Sequence, residues 1–383
     1  MKKLNLLFIN ILIFLIFCSF SEFLARLIFT VNKEKNKHNF RDELLEKAYF
    51  GIEDEYHKFF ADCPKQRIIS KDTDGSSVRY ANPNFSCGGI TVKNNKRLTV
   101  DQKSPSTNIV HVFGGSTVFG TGASDKYTIP SLLQKKFNDI GSQTKVINHG
   151  FGSLVAVQQF QKLTKTEIKK GDIVVFYDGG NDIVQREVYG RPEGTIIGYN
   201  QENKIGFLFS ELRNYLAEKS KIYYYLGKLK LYSQGKAVSQ KVSKCEPNNS
   251  SKKEFEKKWL SYYQTLVNAK NFSESKNASF YHFLQPTLDY DLLEKSDLNY
   301  LKAVGIKATY DLCFIKLISR NSKNLNNSYL NFSNNFNGTT LSDVLINSSV
   351  NSNPGYYFID YIHITRNGNE VVADAIFKKI YKD

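Results

Sequence analysis

The sequence predicts an α/β fold, a parallel sheet covered by helices on both faces, and three observations carry that reading. Between Asn108 and Asp182, short strand-like runs (Ile109–Phe113, Lys145–Asn148, Ile173–Tyr177) alternate with two stretches of helical periodicity, Ile129–Phe137 and Leu154–Ile168. Apolar runs this short between turn signals read as buried strands, and a β-α-β-α-β order calls for parallel pairing. The right-handed crossover rule then gathers all three strand ends on one sheet edge. There each strand is followed by a glycine-bearing turn: Gly114-Gly115-Ser116, Asn148–Ser153 and Asp178–Asp182.

Taken in order, the chain begins with an apolar segment. After Lys2-Lys3, Leu4 to Leu24 carries no charge before Glu22. It meets the roughly 20 residues a helix needs to cross the hydrocarbon core. The segment, 1–31, reads as a single-pass transmembrane anchor, with a signal peptide cleaved near Ser19-Phe20-Ser21 as the alternative. Glu22 and Arg26 sit four apart and can pair on a helix. Positive charge flanks both ends of the run, so orientation gives only a weak vote for an exported body.

Residues 32–107 form a juxtamembrane extension. Phe40 to Asp62 has helix-like apolar spacing, whereas Lys65 to Lys103 is polar and turn-rich with strand-like pieces at Ser77–Tyr80 and Ile90–Val92. This second part reads as packed on the following domain without chemistry of its own. Cys63 and Cys87 flank a turn-rich stretch and can be bridged in an oxidising compartment; Cys245 and Cys313 are either a second bridge or isolated thiols.

The main domain spans 108–383. Tyr189 to Ser251 lacks regular patterning and is too long for a bare loop, so it reads as an insertion or cap. Lys253 to Ala269 is a helix carrying the only tryptophan, Trp259, and Ser279–Leu284 is a fourth strand. Ala303 to Ser319 looks helical. Asn321 to Asn353, rich in Asn and Ser, reads as turns and loops. Tyr356–Ile359 reads as a short strand, and Asn367 to Tyr381 as an amphipathic closing helix.

The net charge of +15 comes from scattered lysines without a clustered basic face or recognition motif, which argues against nucleic acid. An acidic glycan or an anionic membrane surface is the expected use of that charge. No CxxC or other metal-ligand spacing occurs, so neither metal nor cofactor is expected.

A serine at a strand end is a nucleophile only if a base and an oxyanion hole can reach it. Of six histidines, His38, His57, His111, His149 and His282 read as surface or core imidazoles. His363 differs, because Asp360 precedes it by three residues, between a short strand and the last helix. A loop carrying both groups can aim the imidazole at a serine with the carboxylate behind it.

With the three glycine turns in this order, the chain resembles the SGNH hydrolase (GDSL esterase/lipase) family. The pattern is a serine after strand one, a glycine turn after strand two, GxND after strand three and DxxH near the C-terminus. It appears as Gly114-Gly115-Ser116, Asn148–Ser153, Gly179-Gly180-Asn181-Asp182 and Asp360–His363. Phe283-Leu284-Gln285-Pro286 is similar to a strand end in a subset of the family. One departure is plain: the family's Gly-Asp-Ser is Gly-Gly-Ser here. The α/β-hydrolase elbow GxSxG does not fit, because the final glycine is absent and the serine follows the first recognisable strand of the sheet.

The resemblance implies a three-layer α/β/α sandwich with a flavodoxin-like sheet and assigns roles. Ser116 is the nucleophile, His363 the base and Asp360 its orienting acid. The oxyanion donors are the Ser116 N–H, the Gly152 or Ser153 N–H and the Asn181 side chain. Asp178 and Asp182 are expected to support the third turn. The implied activity is hydrolysis of O-acyl esters, acetyl foremost, on a surface carbohydrate or lipid outside the cytoplasm. An O-acyltransferase using the same triad and a non-catalytic glycan-binding protein are the alternatives; oligomeric state is left open.

Overall fold

A computed structural model describes residues 17, 19–24, 26–27, 68–71, 78–81, 84–188, 252–289, 308–349, 357–358 and 361–382 of the chain. The chain divides into two units, Met1–Asp42 with Gly198–Lys244, and Glu43–Ile197 with Cys245–Asp383. In the first, the described residues are helical, and Arg26 Nε donates to Glu22 Oε1 at 3.0 Å, as their spacing predicts. Most of the predicted anchor lies outside the described residues; among the described residues no helix is long and apolar enough to cross a membrane. The helix read at Phe40–Asp62, the insertion at Tyr189–Ser251, and Cys63 and Cys245 also lie outside them.

Among the described residues, all the strands lie in the second unit. β1 (Ile68–Lys71) and β2 (Val78–Ala81) pair antiparallel. β3 (Phe85–Cys87), β4 (Ile90–Lys93) and β5 (Lys96–Arg97) form a small antiparallel sheet. Its hairpins turn on two residues each, Gly88-Gly89 and Asn94-Asn95, all four with positive φ. Such turns match the right-handed strand twist and call for Gly or Asn. Cys87 is disulfide-bonded.

The main sheet contains β6 (Ile109–Gly114), β7 (Lys145–Asn148), β8 (Ile173–Asp178), β9 (Ser279–Leu284) and β10 (Gly338–Thr340), all parallel. Their spatial order is β7-β6-β8-β9-β10. Numbered along the sheet's own strands this is 2-1-3-4-5, the flavodoxin-like order, whose switch point lies between the first and third strands. Phe113 pairs with Phe176, and Phe176 with His282. In β8 every residue from Val174 to Asp178 is buried, so both faces are covered, as a parallel sheet requires.

The helices are α1 (Ser116–Phe119), α2 (Ile129–Asp139), α3 (Ala156–Thr164), α4 (Gly180–Ile183), α5 (Lys252–Ser275), α6 (Ala308–Phe332), α7 (Ser342–Ser349) and α8 (Arg366–Lys382). α2 starts where Thr128 Oγ1 accepts the Ser131 N–H at 3.3 Å and Pro130 needs no donor partner. It packs on α8, with Phe137 edge-on to Phe377. α3 packs on α5 through Phe160 and Phe272.

The loop reading of Asn321–Asn353 is corrected. α6 runs through Phe332, and a 3₁₀ turn, β10 and α7 follow. Leu325, Tyr329 and Phe336 from this stretch are fully buried, with Tyr263 stacked on Phe332 at 4.4 Å. Tertiary burial outweighs the small intrinsic penalties of Asn and Ser in a helix. The strand read at Tyr356–Ile359 reduces, among described residues, to one antiparallel bridge between Phe358 and Ile364.

The extension carries a function in the fold that its composition hides. Arg97, the last residue of β5 and 2% exposed, reaches into the loop after α1. Its guanidinium donates to Asp125 Oδ1 at 2.6 Å, Ala123 O at 2.8 Å and Phe119 O at 3.2 Å.

Candidate active site

The first turn is built by glycine. A Cβ on Gly114 would lie 2.2 Å from Val118 Cγ2 and 2.7 Å from Tyr177 O, so only glycine lets the strand bend here. α1 therefore begins at Ser116, and Gly120, at φ +90°, closes it by donating to Ser116 O at 3.0 Å. Ser116 is 7% exposed.

The opposite wall comes from the other end of the chain. After the Phe358–Ile364 bridge, Thr365 N–H donates to Tyr357 O at 2.9 Å and Thr365 Oγ1 accepts the Gly368 N–H at 3.2 Å, which starts α8. This places His363 Nε2 2.7 Å from Ser116 Oγ, across 247 positions of sequence. With Nε2 unprotonated, the hydroxyl donates to it. Asp360 lies outside the described residues.

Asn181 is the second residue of α4. Its Nδ2 donates to Leu154 O at 2.9 Å, and Ala156 N–H donates to Asp182 Oδ2 at 3.1 Å. Two adjacent residues of the third turn thus hold the second. The same amide explains Gly115: a Cβ there would lie 2.3 Å from Asn181 Nδ2. What the sequence showed as a missing aspartate is, in this fold, room for the asparagine.

The second turn is packed against α1. Asn148 Nδ2 donates to Val118 O at 2.9 Å, and its Oδ1 accepts the Gly150 N–H at 2.8 Å. A Cβ on Gly150 would meet Phe119 N at 2.2 Å. Phe151 N–H then donates to Gly114 O at 3.1 Å, so Gly152 and Ser153 follow directly from the nucleophile's strand end. Ser153 adopts φ +66°.

Asp178 and Asp182, expected to support the third turn, bond through their side chains to other elements, Asp182 to the second turn and Asp178 to α5 and β9. Asp178 Oδ1 accepts from Tyr262 at 2.7 Å and faces His282 Nε2 at 3.0 Å, while His282 Nδ1 meets Tyr329 Oη at 2.6 Å. Burial, then the neighbouring Asp178 charge, push the Asp182 carboxyl up to about 8 against the pull of Arg186. His282 is thus a fully buried structural imidazole.

His111 and His149 are likewise core groups. His111 contacts Asp172 Oδ2 at 3.3 Å and His149 Nε2 at 3.0 Å, and His149 stacks on Phe113 at 4.4 Å. Burial lowers the His111 pKa even with Asp172 beside it, and burial followed by the Lys162 charge lowers that of His149 further, so both stay neutral. His38 and His57 lie outside the described residues. Among the described residues, no cluster of three or more His, Cys, Asp or Glu side chains is placed to hold a metal.

Sequence reasoning missed Arg97 and gave Asn148 no task of its own. The signal for Asn148 was an amide at a strand end before a glycine, a place where side chains commonly satisfy turn backbone. Arg97 carries no comparable signal, being one cation in a lysine-rich stretch.

No protein-family model and no curated protein matches the chain. Solved structures do. A lipolytic G-D-S-L family member from Veillonella parvula is 12% identical at a TM-score of 0.37, covering 71% of this chain and 97% of its own. An acetylxylan esterase from Geobacillus stearothermophilus is 12% identical at 0.39, covering 72% and 94%. A putative GDSL-like lipase from Parabacteroides merdae is 10% identical at 0.39, covering 75% and 100%. Values this low carry no function from those proteins to this chain.

Proposed function

We propose that the chain is a serine esterase of the SGNH hydrolase type, hydrolysing O-acyl esters, acetyl foremost, of a carbohydrate or lipid. The observation that carries the reading is the 2.7 Å contact between Ser116 Oγ and His363 Nε2. Ser116 attacks the ester carbonyl while His363 takes its proton and returns it to the leaving alcohol. Asp360 orients the imidazole and stabilises it when charged. The tetrahedral oxyanion is met by the Ser116 N–H, the Gly152 or Ser153 N–H and the Asn181 amide. The Leu154 bond takes one hydrogen of that amide and leaves the other for the oxyanion. Water then attacks the acyl-enzyme with His363 as base.

The test uses full-length protein with a fluorophosphonate label and a short activated acetyl ester. Wild type is expected to label at Ser116 and turn over. Ser116→Ala is expected to lose labelling and at least about a thousand-fold of hydrolysis, as loss of a nucleophile does. Equal hydrolysis by the two proteins overturns the proposal, and acyl transfer to added sugars in place of hydrolysis redirects it to a transferase. The apolar run Leu4–Leu24 and the disulfide at Cys87 support placing this activity outside the cytoplasm on a membrane anchor. Protease accessibility of the domain in intact cells tests that placement.

A further inference from the structure

Between the turns that carry Asn181 and His363 lies a buried amide that neither the nucleophile, the base nor the oxyanion hole uses. Gln285 follows β9 directly and is 4% exposed. Its backbone N–H donates to Asp178 O at 2.7 Å, continuing the sheet's pairing to the last residue before the Gly179 turn. Pro286 fixes the next φ, so the residue has little freedom to tilt.

The side chain then reaches across the sheet edge. Gln285 Nε2 donates to Ile362 O at 2.9 Å, the carbonyl immediately before His363. Three residues on, Leu288 N–H donates to Tyr361 O at 3.0 Å, so two successive carbonyls of the base-bearing loop are held from one segment. On its other side the Gln285 amide faces the position a side chain at Gly180 would take. A Cβ at Gly180 would lie 3.1 Å from Gln285 Oε1 and 3.3 Å from Ile362 Cγ2. The asparagine turn, the glutamine amide and the histidine loop therefore leave little room for a side chain at Gly180.

We propose that Gln285 is a positioning residue that sets His363 against Ser116 by gauging the histidine loop from the turn that carries Asn181. This rests on the reading of Ser116 and His363 as nucleophile and base. Both reacting walls then take their placement from the end of β8, through Asn181 on one side and Gln285 with Ile362 on the other. The arrangement matters because an error of about 1 Å between reacting groups costs on the order of a hundred-fold in rate. The Ile362 carbonyl and the His363 Cα lie in one planar peptide unit with no freely rotating bond between them, so a displaced carbonyl moves the imidazole with it.

The test compares wild type with Gln285→Met, which keeps length and bulk but cannot donate, and Gln285→Asn, which donates but falls one methylene short. Two readouts are taken on the full chain in detergent. The first is the NMR spectrum of ¹³C-ε1-labelled histidines, with the His363 signal assigned through His363→Gln. Gln285→Met is expected to shift the His363 signal and its titration midpoint while leaving those of His111, His149 and His282 in place. The second is turnover of an activated acetyl ester, where about a 10- to 100-fold fall in kcat at KM within threefold is expected, with Tm within a few degrees of wild type. Gln285→Asn is expected to fall between the two. A His363 signal and titration that superimpose on wild type in Gln285→Met overturn the proposal, as does a loss of turnover that merely follows a loss of folded protein. Absence of ester hydrolysis by wild type would fail the esterase reading instead, and the NMR comparison would still decide the role of Gln285.

Discussion

Placing a methyl group on Gly115 tests the site at its tightest point. The substitution Gly115→Ala puts a Cβ 2.3 Å from Asn181 Nδ2, where ordinary contact begins near 3.4 Å. The amide must retreat by about 1 Å, and its Leu154 bond, now 2.9 Å, stretches or breaks. Gly115 has φ −79° and ψ −149°, outside the left-handed region that favours glycine. Stability should therefore fall only by about 1 kcal/mol, the net worth of one hydrogen bond, and Tm by a few degrees. Catalysis should suffer far more. Removing one oxyanion donor costs about 3–4 kcal/mol of transition-state stabilisation, a hundred- to thousand-fold in kcat. The assay is steady-state hydrolysis of an activated acetyl ester beside thermal melts of both proteins. A kcat for Gly115→Ala within threefold of wild type would refute the placement of Asn181 as a donor. Gly115→Asp sharpens the case, since the resemblance puts aspartate here and this structure predicts a loss at least as large.

Three further outcomes are expected. Asn181→Ala should lower kcat by roughly a hundred-fold or more with the fold intact, read from ester turnover and circular dichroism. Arg97→Met leaves Asp125 buried without its cation, a loss of about 3–5 kcal/mol, so Tm should drop by on the order of 10 °C. The double substitution with Asp125→Asn should recover part of that loss in a mutant cycle, and strict additivity would contradict the ion pair. Asp182 holds a proton in the folded state up to about pH 8 that the unfolded chain releases near its ordinary value of about 4. Its contribution to stability is thus full below about pH 4, declines as pH rises and stops declining above about 8. Asp182→Asn removes that decline, so its Tm should fall less than wild type's between pH 5 and 8; parallel Tm curves would count against the assignment.

Much of the site was legible because its parts sit in turns whose residue types are dictated locally. Gly114 and Gly150 are required by backbone approach, and the strand-turn order fixes which edge they share. The Ser116–His363 contact, which the family resemblance implied, joins distant parts of the chain. What was not legible depends on neighbours that no local pattern encodes. The composition of Asn321–Asn353 pointed to loops, yet Tyr329 is fully buried with its hydroxyl against His282, an environment created by another element. Gly115 likewise read as a lost aspartate because its reason, the Asn181 amide, lies 66 residues downstream and meets it only in three dimensions.

The Arg97 contacts bear on where an independently folding piece of this chain can start. Every recognisable motif lies at or after Asn108, so a fragment cut at that residue would keep the whole signature. It would also abandon the carbonyls of Phe119, Gly120 and Ala123 and the carboxylate of Asp125, which face one guanidinium. Limited proteolysis should therefore protect the β3–β5 hairpins together with the Ser116 turn as one cooperative unit. The boundary of the signature and the boundary of the foldon fall in different places, and trimming to the former would remove the cation around which the reactive loop is wound.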